Sequence, residues 1–457
     1  MNGLILISRG FSCLLVRRVR PSCACALLMI YIALGFIMWS GPAAAADAIP
    51  GEEYCNREID SIRFVGNDVT KAAVLIRELP QKSGAQCSLD DIIDGIQNIQ
   101  DLGLFKSVRS ELELIDGLLE LRYIVDEKIF VLPLPRLSRT SDGELRVGVQ
   151  IRWENFRGRL HRLKLTSEKR QEDNGRGRSG FVHSVRYTVP RFLGSDFGLF
   201  LNVAAERRNV ELEQNEVIFG EAERQSFVFE TQVARWLNHT KGVRGLRYHA
   251  GFRVIDREYD VTEGEAGPFV DGTDLSFVFG VENQLVRRDT FRRRGKSYGF
   301  TLRVADENLA SSFSYKRLDL WGIWYLPLVD PQKNLNVQLR LGLSDGAPFG
   351  DHSFSIGGGD VLRGVDKGRD SGDILMLLNV EYLSGFFSYP AWRWVVFLDA
   401  GNVFETSDVD LLDQNLRGGL GLRYKLRALA NTDLRIDLAW DPDRNSVRPF
   451  FATRLTF

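Results

Sequence analysis

The chain is short of net charge, methionine, histidine and cysteine, and each shortage closes off a class of function. Lysine plus arginine number 59 against 60 aspartate plus glutamate, so no basic footprint for nucleic acid is present. Five histidines fall in no H-x-x-x-H or related ligand spacing, so no metal site is indicated, and no motif calls for a cofactor. Methionine is scarce at 4, whereas there are 43 glycines, 29 phenylalanines and 8 tryptophans. With 44% hydrophobic and 26% charged residues, that profile suits a β-barrel better than a bundle of membrane helices. A length of 457 residues would ordinarily mean about three domains. A large barrel can absorb most of it in one unit.

The N-terminus reads as a targeting segment. Arg9, Arg17, Arg18 and Arg20 form a basic region, "ACALLMIYIALGFIMW" (Ala24–Trp39) an apolar one, and "GPAAAAD" an A-x-A site. Cleavage is expected after Ala46, making residues 1–46 a signal peptide. Of the five cysteines, Cys55 and Cys87 then remain. In an exported, oxidising compartment they could form one disulfide or stay as two thiols.

Residues 52–128 read as a small α+β module. "REIDSIRFVGND" alternates and ends in Gly66-Asn67, a strand closing on a turn. "DVTKAAVLIREL" has helical apolar spacing and stops before Pro80. "SLDDIIDGIQNIQDLGLF" opens on Ser88 as N-cap, continues with Ile92, Ile93, Ile96 and Ile99, and stops at Gly103. "KSVRSELELI" and "LLELRYIVDEK" flank Asp116-Gly117, a hairpin turn signal. This β-α-α-β-β order, with "FVGN" and "LGLFKSV" at its turns, resembles the POTRA domain. Gly103 and Phe105 match that family's turn glycine and packed aromatic. POTRA domains lie in the periplasm and bind unfolded or partner chains, some by adding a strand to a sheet edge.

From residue 129 to 457 the spacing has period two. "NLNVQLRLGLS" puts Leu335, Val337, Leu339, Leu341 and Leu343 on one face and Asn336, Gln338, Arg340, Gly342 and Ser344 on the other. "DLRIDLAW" sets Leu434, Ile436, Leu438 and Trp440 against Asp433, Arg435, Asp437 and Ala439. Apolar out and polar in is what a lipid-facing barrel with a wet lumen needs. Segments of about ten residues predict eleven strands before residue 357, the first at 130–140. Five follow, at 373–384, 391–400, 416–426, 432–441 and 448–457, for sixteen antiparallel strands. The ending "FFATRLTF", with Phe451, Leu455 and Phe457 on one alternate face, resembles the terminal strand signal of outer-membrane barrels.

Between two of these strands lies "GGGDVLRGVDKGRDSGD" (Gly357–Asp373), polar and glycine-rich. It lacks the Gly-Lys-Ser/Thr of a P-loop and the acidic spacing of an EF-hand. "GLSDG" (Gly342–Gly346) fits G-x-S-x-G around Ser344, with Asp351 and His352 nearby, but a nucleophile elbow needs a helix next and only loop follows. "LRGV" (Leu362–Val365) resembles the V-R-G-F/Y motif of the sixth extracellular loop in the BamA/TamA-type outer-membrane assembly and transport family. Leu362 and Val365 depart from it. In that family, acids on the next two strands meet the loop arginine inside the lumen. "LLNVEYL" and "VVFLDAGNVF" supply Glu381 and Asp399 at those places. Alternation agrees independently, because Val380 and Tyr382, and likewise Leu398, face outward. A guanidinium inside a barrel needs a carboxylate, and its planar fork suits one. Gly364 and its neighbours let the loop turn back.

The resemblance implies an integral outer-membrane protein, not an enzyme, that contacts membrane lipids and helps insert or translocate unfolded or secreted polypeptides. Periplasmic partner proteins would meet it at the POTRA-like domain. The alternative is an outer-membrane pore for small solutes or lipids. One POTRA-like module is legible, whereas the BamA branch commonly carries five, TamA-like proteins three and two-partner secretion pores two.

Overall fold

A computed structural model shows the architecture. It describes residues 49–452 apart from 140–144, 172–178, 215–216, 238–243, 289–291, 331, 351–352, 359–360, 366–367, 387–388, 411–412 and 431–432. The expected signal peptide, residues 1–46, and Asp351, His352, Leu455 and Phe457 lie outside the described residues.

The first unit runs β1 (Ser61–Val65), α1 (Ala72–Ile76), α2 (Leu89–Asp101), β2 (Phe105–Ile115) and β3 (Leu118–Glu127). Its sheet has the order β1-β3-β2, with β1 parallel to β3 and β2 as an edge. Ser88 caps α2, its Oγ accepting the Asp91 N–H at 3.3 Å. Ile92 and Ile99 are buried, whereas Ile93 is exposed, so the apolar stripe is narrower than the isoleucine run suggests. Gly66 and Gly103 both have positive φ, and a side chain on Gly66 would strike the Val125 carbonyl. Asp116 and Gly117 are left-handed together, as a tight hairpin requires. Phe105 is fully buried with Leu75, Leu119, Leu121 and Tyr123. Cys55 and Cys87 form a disulfide, Cα–Cα 5.2 Å, that ties the N-terminal segment to the residues entering α2.

The second unit is one antiparallel sheet of sixteen strands. Before the glycine-rich loop come β4 (Val131–Arg139), β5 (Leu145–Phe156), β6 (His161–Gln171), β7 (Ser179–Val189), β8 (Phe197–Gln214), β9 (Val217–Trp236), β10 (Gly245–Gly264), β11 (Gly272–Arg288), β12 (Arg293–Ala305), β13 (Tyr315–Pro327) and β14 (Asn334–Asp345). The loop carries a small hairpin of its own, β15 (Phe354–Ile356) and β16 (Asp370–Gly372). After it come β17 (Ile374–Phe386), β18 (Tyr389–Phe404), β19 (Asn415–Lys425), β20 (Asp433–Asp441) and β21 (Ser446–Ala452). Each barrel strand pairs with its chain neighbours, and β14 pairs directly with β17 across the loop. Among the described residues no ladder joins β4 to β21. Instead Ile129 pairs in parallel with Leu429 of the β19–β20 turn and brings the two ends of the sheet together.

Strands β8 to β10 are longer than the alternation predicts, at 18, 20 and 20 residues. About 9–11 residues suffice to span a bilayer. Low on these strands the outward face is apolar, as at Leu201, Phe229 and Phe252. Higher up it becomes Glu211, Glu223 and Asp260, and the apolar parity moves to the inner face. There Leu212 and Ala222 pack with Phe269 of the β10–β11 loop, so the extension has a core of its own.

Candidate functional site

The glycine-rich loop turns into the lumen and ends on a fully buried arginine. Three parities deliver its partners. On β17, Leu375, Leu377, Asn379 and Glu381 face inward; on β18, Val395, Phe397 and Asp399; on β20, Arg435 and Asp437. Arg363 Nε and Nη2 donate to the two Asp399 carboxylate oxygens, both at 2.6 Å, and its backbone N–H reaches the same group at 3.2 Å. Nη1 donates to Glu381 Oε1 at 2.6 Å and lies 3.6 Å from Asp437. The guanidinium carbon stands 3.6 Å from the centre of the Phe397 ring, a stacked arrangement that Arg favours.

Those acids are shared. Arg423 donates to Glu381 at 2.9 Å and to Asp437 at 2.6 Å, and Arg435 donates to Asp437. Asn379 donates to Asp399 at 2.9 Å and to the Val361 carbonyl at 3.0 Å, tying the loop backbone into the same set. Three arginines and three carboxylates therefore balance in a buried network. Alternation had placed Arg435 and Asp437 on the polar face but had not joined them to Arg363. Asn379 and Phe397 do carry a signal, a polar or aromatic side chain two residues along the same face from Glu381 or Asp399, whereas Arg435 and Asp437, on another strand, carry none beyond their polar parity.

The loop is also held by packing. Leu362 and Val365 are buried with Phe354, Ile356, Leu375 and Leu377, so Val365 fills an apolar cluster in place of the family's aromatic. Gly364 has φ +89°, and a side chain there would come within 3.2 Å of the Trp440 carbonyl. That pairing of backbone and space admits glycine. Near the loop's far end Arg369 bonds Asp370 at 2.9 Å, Asn415 at 3.0 Å and Asp443 at 3.1 Å. Ser344 donates to the Gly346 carbonyl at 2.7 Å near the end of β14, and among the described residues only a three-residue 3-10 turn, Pro348–Gly350, comes before the loop hairpin, not the α-helix a nucleophile elbow needs.

A second junction covers the other end of the lumen, where α2 faces the β9–β10 and β11–β12 turns. Asp101 accepts the Arg288 backbone N–H at 2.7 Å and lies 3.6 and 3.7 Å from Arg287 and Arg244. Arg287 also reaches Asp94, and Arg294 reaches Gln97. Thr70 accepts from the side chain of Asn155 at the end of β5, and the Lys71 N–H donates to the Gly158 carbonyl of the β5–β6 turn. Burial raises the Asp101 pKa above the ordinary carboxylate value.

Lys128 sits at the hinge between the units, donating to the Gly103 carbonyl at 3.1 Å. Burial, with Lys425, Arg288 and Arg427 acting the same way and Asp433 opposing, lowers its pKa to about 8. An unfolded lysine titrates near about 10.4. Between those values the unfolded chain holds the proton and the folded chain does not, so stability rises with pH from about 8 to 10, and the penalty is full below 8. Lys128→Met is therefore expected to be more stable than the parent at pH 7, with the gap closing by about pH 10. Urea unfolding midpoints at the two pH values check this; a gap independent of pH would assign the effect to packing.

The Omp85 superfamily domain matches residues 155–447, well over half of the chain. The chain belongs to the Omp85 superfamily. A second match, to the POTRA surface antigen repeat, covers residues 58–128. This Omp85 chain is similar in fold to BamA from Haemophilus ducreyi lacking POTRA domains 1–3, at 16% identity and TM-score 0.52, over 86% of this chain and 83% of that one. It is also similar to CdiB from Acinetobacter baumannii (15% identity, TM-score 0.55, 86% and 73% covered) and to CdiB from Escherichia coli (14%, 0.59, 87% and 74%). No curated protein matches in sequence. Omp85 barrels with an N-terminal POTRA domain are outer-membrane assembly and transport proteins rather than enzymes, with that domain in the periplasm. The glycine-rich segment follows the eleventh barrel strand and is thus the sixth loop on the face away from the POTRA domain.

Proposed function

We propose that this Omp85 protein inserts or translocates polypeptides at the outer membrane without covalent chemistry. The POTRA domain holds an unfolded, secreted or partner chain in the periplasm, by strand addition at edge strand β2 around Arg109, since at Leu112 that edge is already bonded to the Pro50 carbonyl. The Arg363 loop, fixed through Asp399 and Glu381, sets barrel stability and gating. The observation that carries the reading is this buried ionic network. A solvent-exposed loop would have no use for an arginine wholly inside the lumen on two carboxylates. The docked α2 adds that a lumen route requires the POTRA domain to move.

A photo-crosslinking residue at Arg109, exposed on β2, is expected to capture unfolded or secreted polypeptides in intact cells. Absence of captured polypeptide, together with a steady, wide conductance in planar bilayers, would favour a pore for small solutes or lipids instead.

A further inference from the structure

The barrel sheet has two edge strands, β4 and β21, and both are short of backbone donors. A strand that adds to a sheet edge uses the free N–H groups of that edge as well as its carbonyls. β4 reads VLPLPRLSR from Val131 to Arg139. It pairs with β5 in unbroken register, with Pro133 opposite Ile151 and Pro135 opposite Val149. Just before it, the Glu154 N–H donates to the Phe130 carbonyl at 2.8 Å. In an antiparallel ladder every second residue bonds the neighbouring strand. The even-numbered residues of β4 therefore bond β5, and Val131, Pro133, Pro135, Leu137 and Arg139 turn their backbone to the free edge. Two successive members of that set are prolines, which have no N–H to offer.

The last strand repeats the arrangement. Pro449 of β21 lies opposite Leu438 in a continuous ladder with β20. Without an N–H it is not one of the residues bonded to β20, so its backbone faces the free edge, between those of Val447 and Phe451. Among the described residues, eight positions face the two free edges and three of them are proline, which leaves no more than two successive donors on either edge. An incoming strand long enough to span the bilayer, about 9–11 residues, would need about four or five in succession. Pro133, Pro135 and Pro449 are all exposed, so none of them serves to fill a core. The ends of the sheet meet below these edges, where the Ile129 N–H donates to the Ala428 carbonyl at 2.8 Å and the Ala430 N–H to the Ile129 carbonyl at 3.1 Å. The POTRA edge strand β2, by contrast, carries no proline from Phe105 to Ile115.

We propose that both barrel edges are closed to strand addition, so that this protein does not template the strands of a nascent barrel, and that its substrates are secreted polypeptides that cross the membrane without joining a sheet. Strand addition is then confined to the POTRA domain. This rests on the polypeptide handling proposed above and decides between insertion and translocation.

The first test is disulfide trapping on the full chain in phosphatidylcholine nanodiscs. Val131→Cys places a thiol on the exposed side of the β4 edge. The probe is a synthetic peptide with the proline-free sequence of β14, Asn334–Asp345, and an added C-terminal cysteine. Trapping is expected to be at background with the native edge and about tenfold higher once Pro133→Val and Pro135→Val restore the two donors. Equal trapping with and without those substitutions, whether high or at background, would overturn the proposal. The second test needs no variant. An unfolded outer-membrane barrel is added to phosphatidylcholine vesicles with and without the full chain, and its folding rate is expected to be the same in both. Several-fold acceleration would overturn the proposal. Absence of capture at Arg109 would remove polypeptide handling itself and leave both of these readouts unmoved, so the two failures are distinguishable.

Discussion

Arg363→Ala is expected to destabilise the barrel by about 3–5 kcal/mol or more, read as loss of heat-resistant mobility on gels and a lower urea midpoint. A buried ion pair adds little over an apolar replacement of both partners, but removing one partner leaves the other charged and desolvated. Here one side chain serves two carboxylates. Without it Asp399 keeps the Asn379 amide, and Glu381 keeps Arg423. Arg363→Lys is expected to recover only part of the loss, because one ammonium cannot reproduce the paired contacts to Asp399 and the bond to Glu381 together. Unchanged mobility in the alanine variant would remove the structural role assigned to the loop.

Replacing Cys55 and Cys87 by serine is expected to cost the POTRA domain about 3–4 kcal/mol. The two lie 32 residues apart, and releasing a loop of that size restores roughly this much chain entropy to the unfolded state. A domain this small holds only a few kcal/mol in reserve. The bridge also sets both cysteines against the core around Phe105. Limited proteolysis is expected to cut the domain readily in the double serine variant and under reductant, while the barrel keeps its mobility. Equal protease resistance with and without the bridge would show that packing alone holds the domain.

Much of the fold is legible in the sequence because two periods carry it. Alternation along residues 334–344 and 434–440 fixes which side chains meet lipid, and Asp116-Gly117 fixes a hairpin. The same parity turns Glu381 and Asp399 inward, so that part of the arginine network is readable by counting. What counting cannot supply is register between strands. Asp437 lies 74 residues after Arg363 in the chain, and only the β18–β19–β20 ladders bring it within 3.6 Å. Phe397 belongs to the network only because the loop reaches deep enough to stack on it. The β8–β10 extension escaped for a different reason. Its alternation continues unbroken while the apolar parity changes face between Phe229 and Ala222, which a period cannot register. Helix α1 begins only at Ala72 because Lys71 is extended, with its N–H taken by the Gly158 carbonyl of a barrel turn, a contact invisible within the segment itself.

The direct test of the lumen network is a double-mutant cycle between Arg363→Ala and Asp399→Asn, read as urea unfolding of the barrel. Coupling of about 2–3 kcal/mol is expected, because each side chain's main charged partner is the other. Additive losses, with coupling near zero, would contradict an arginine that pins the loop inside the barrel.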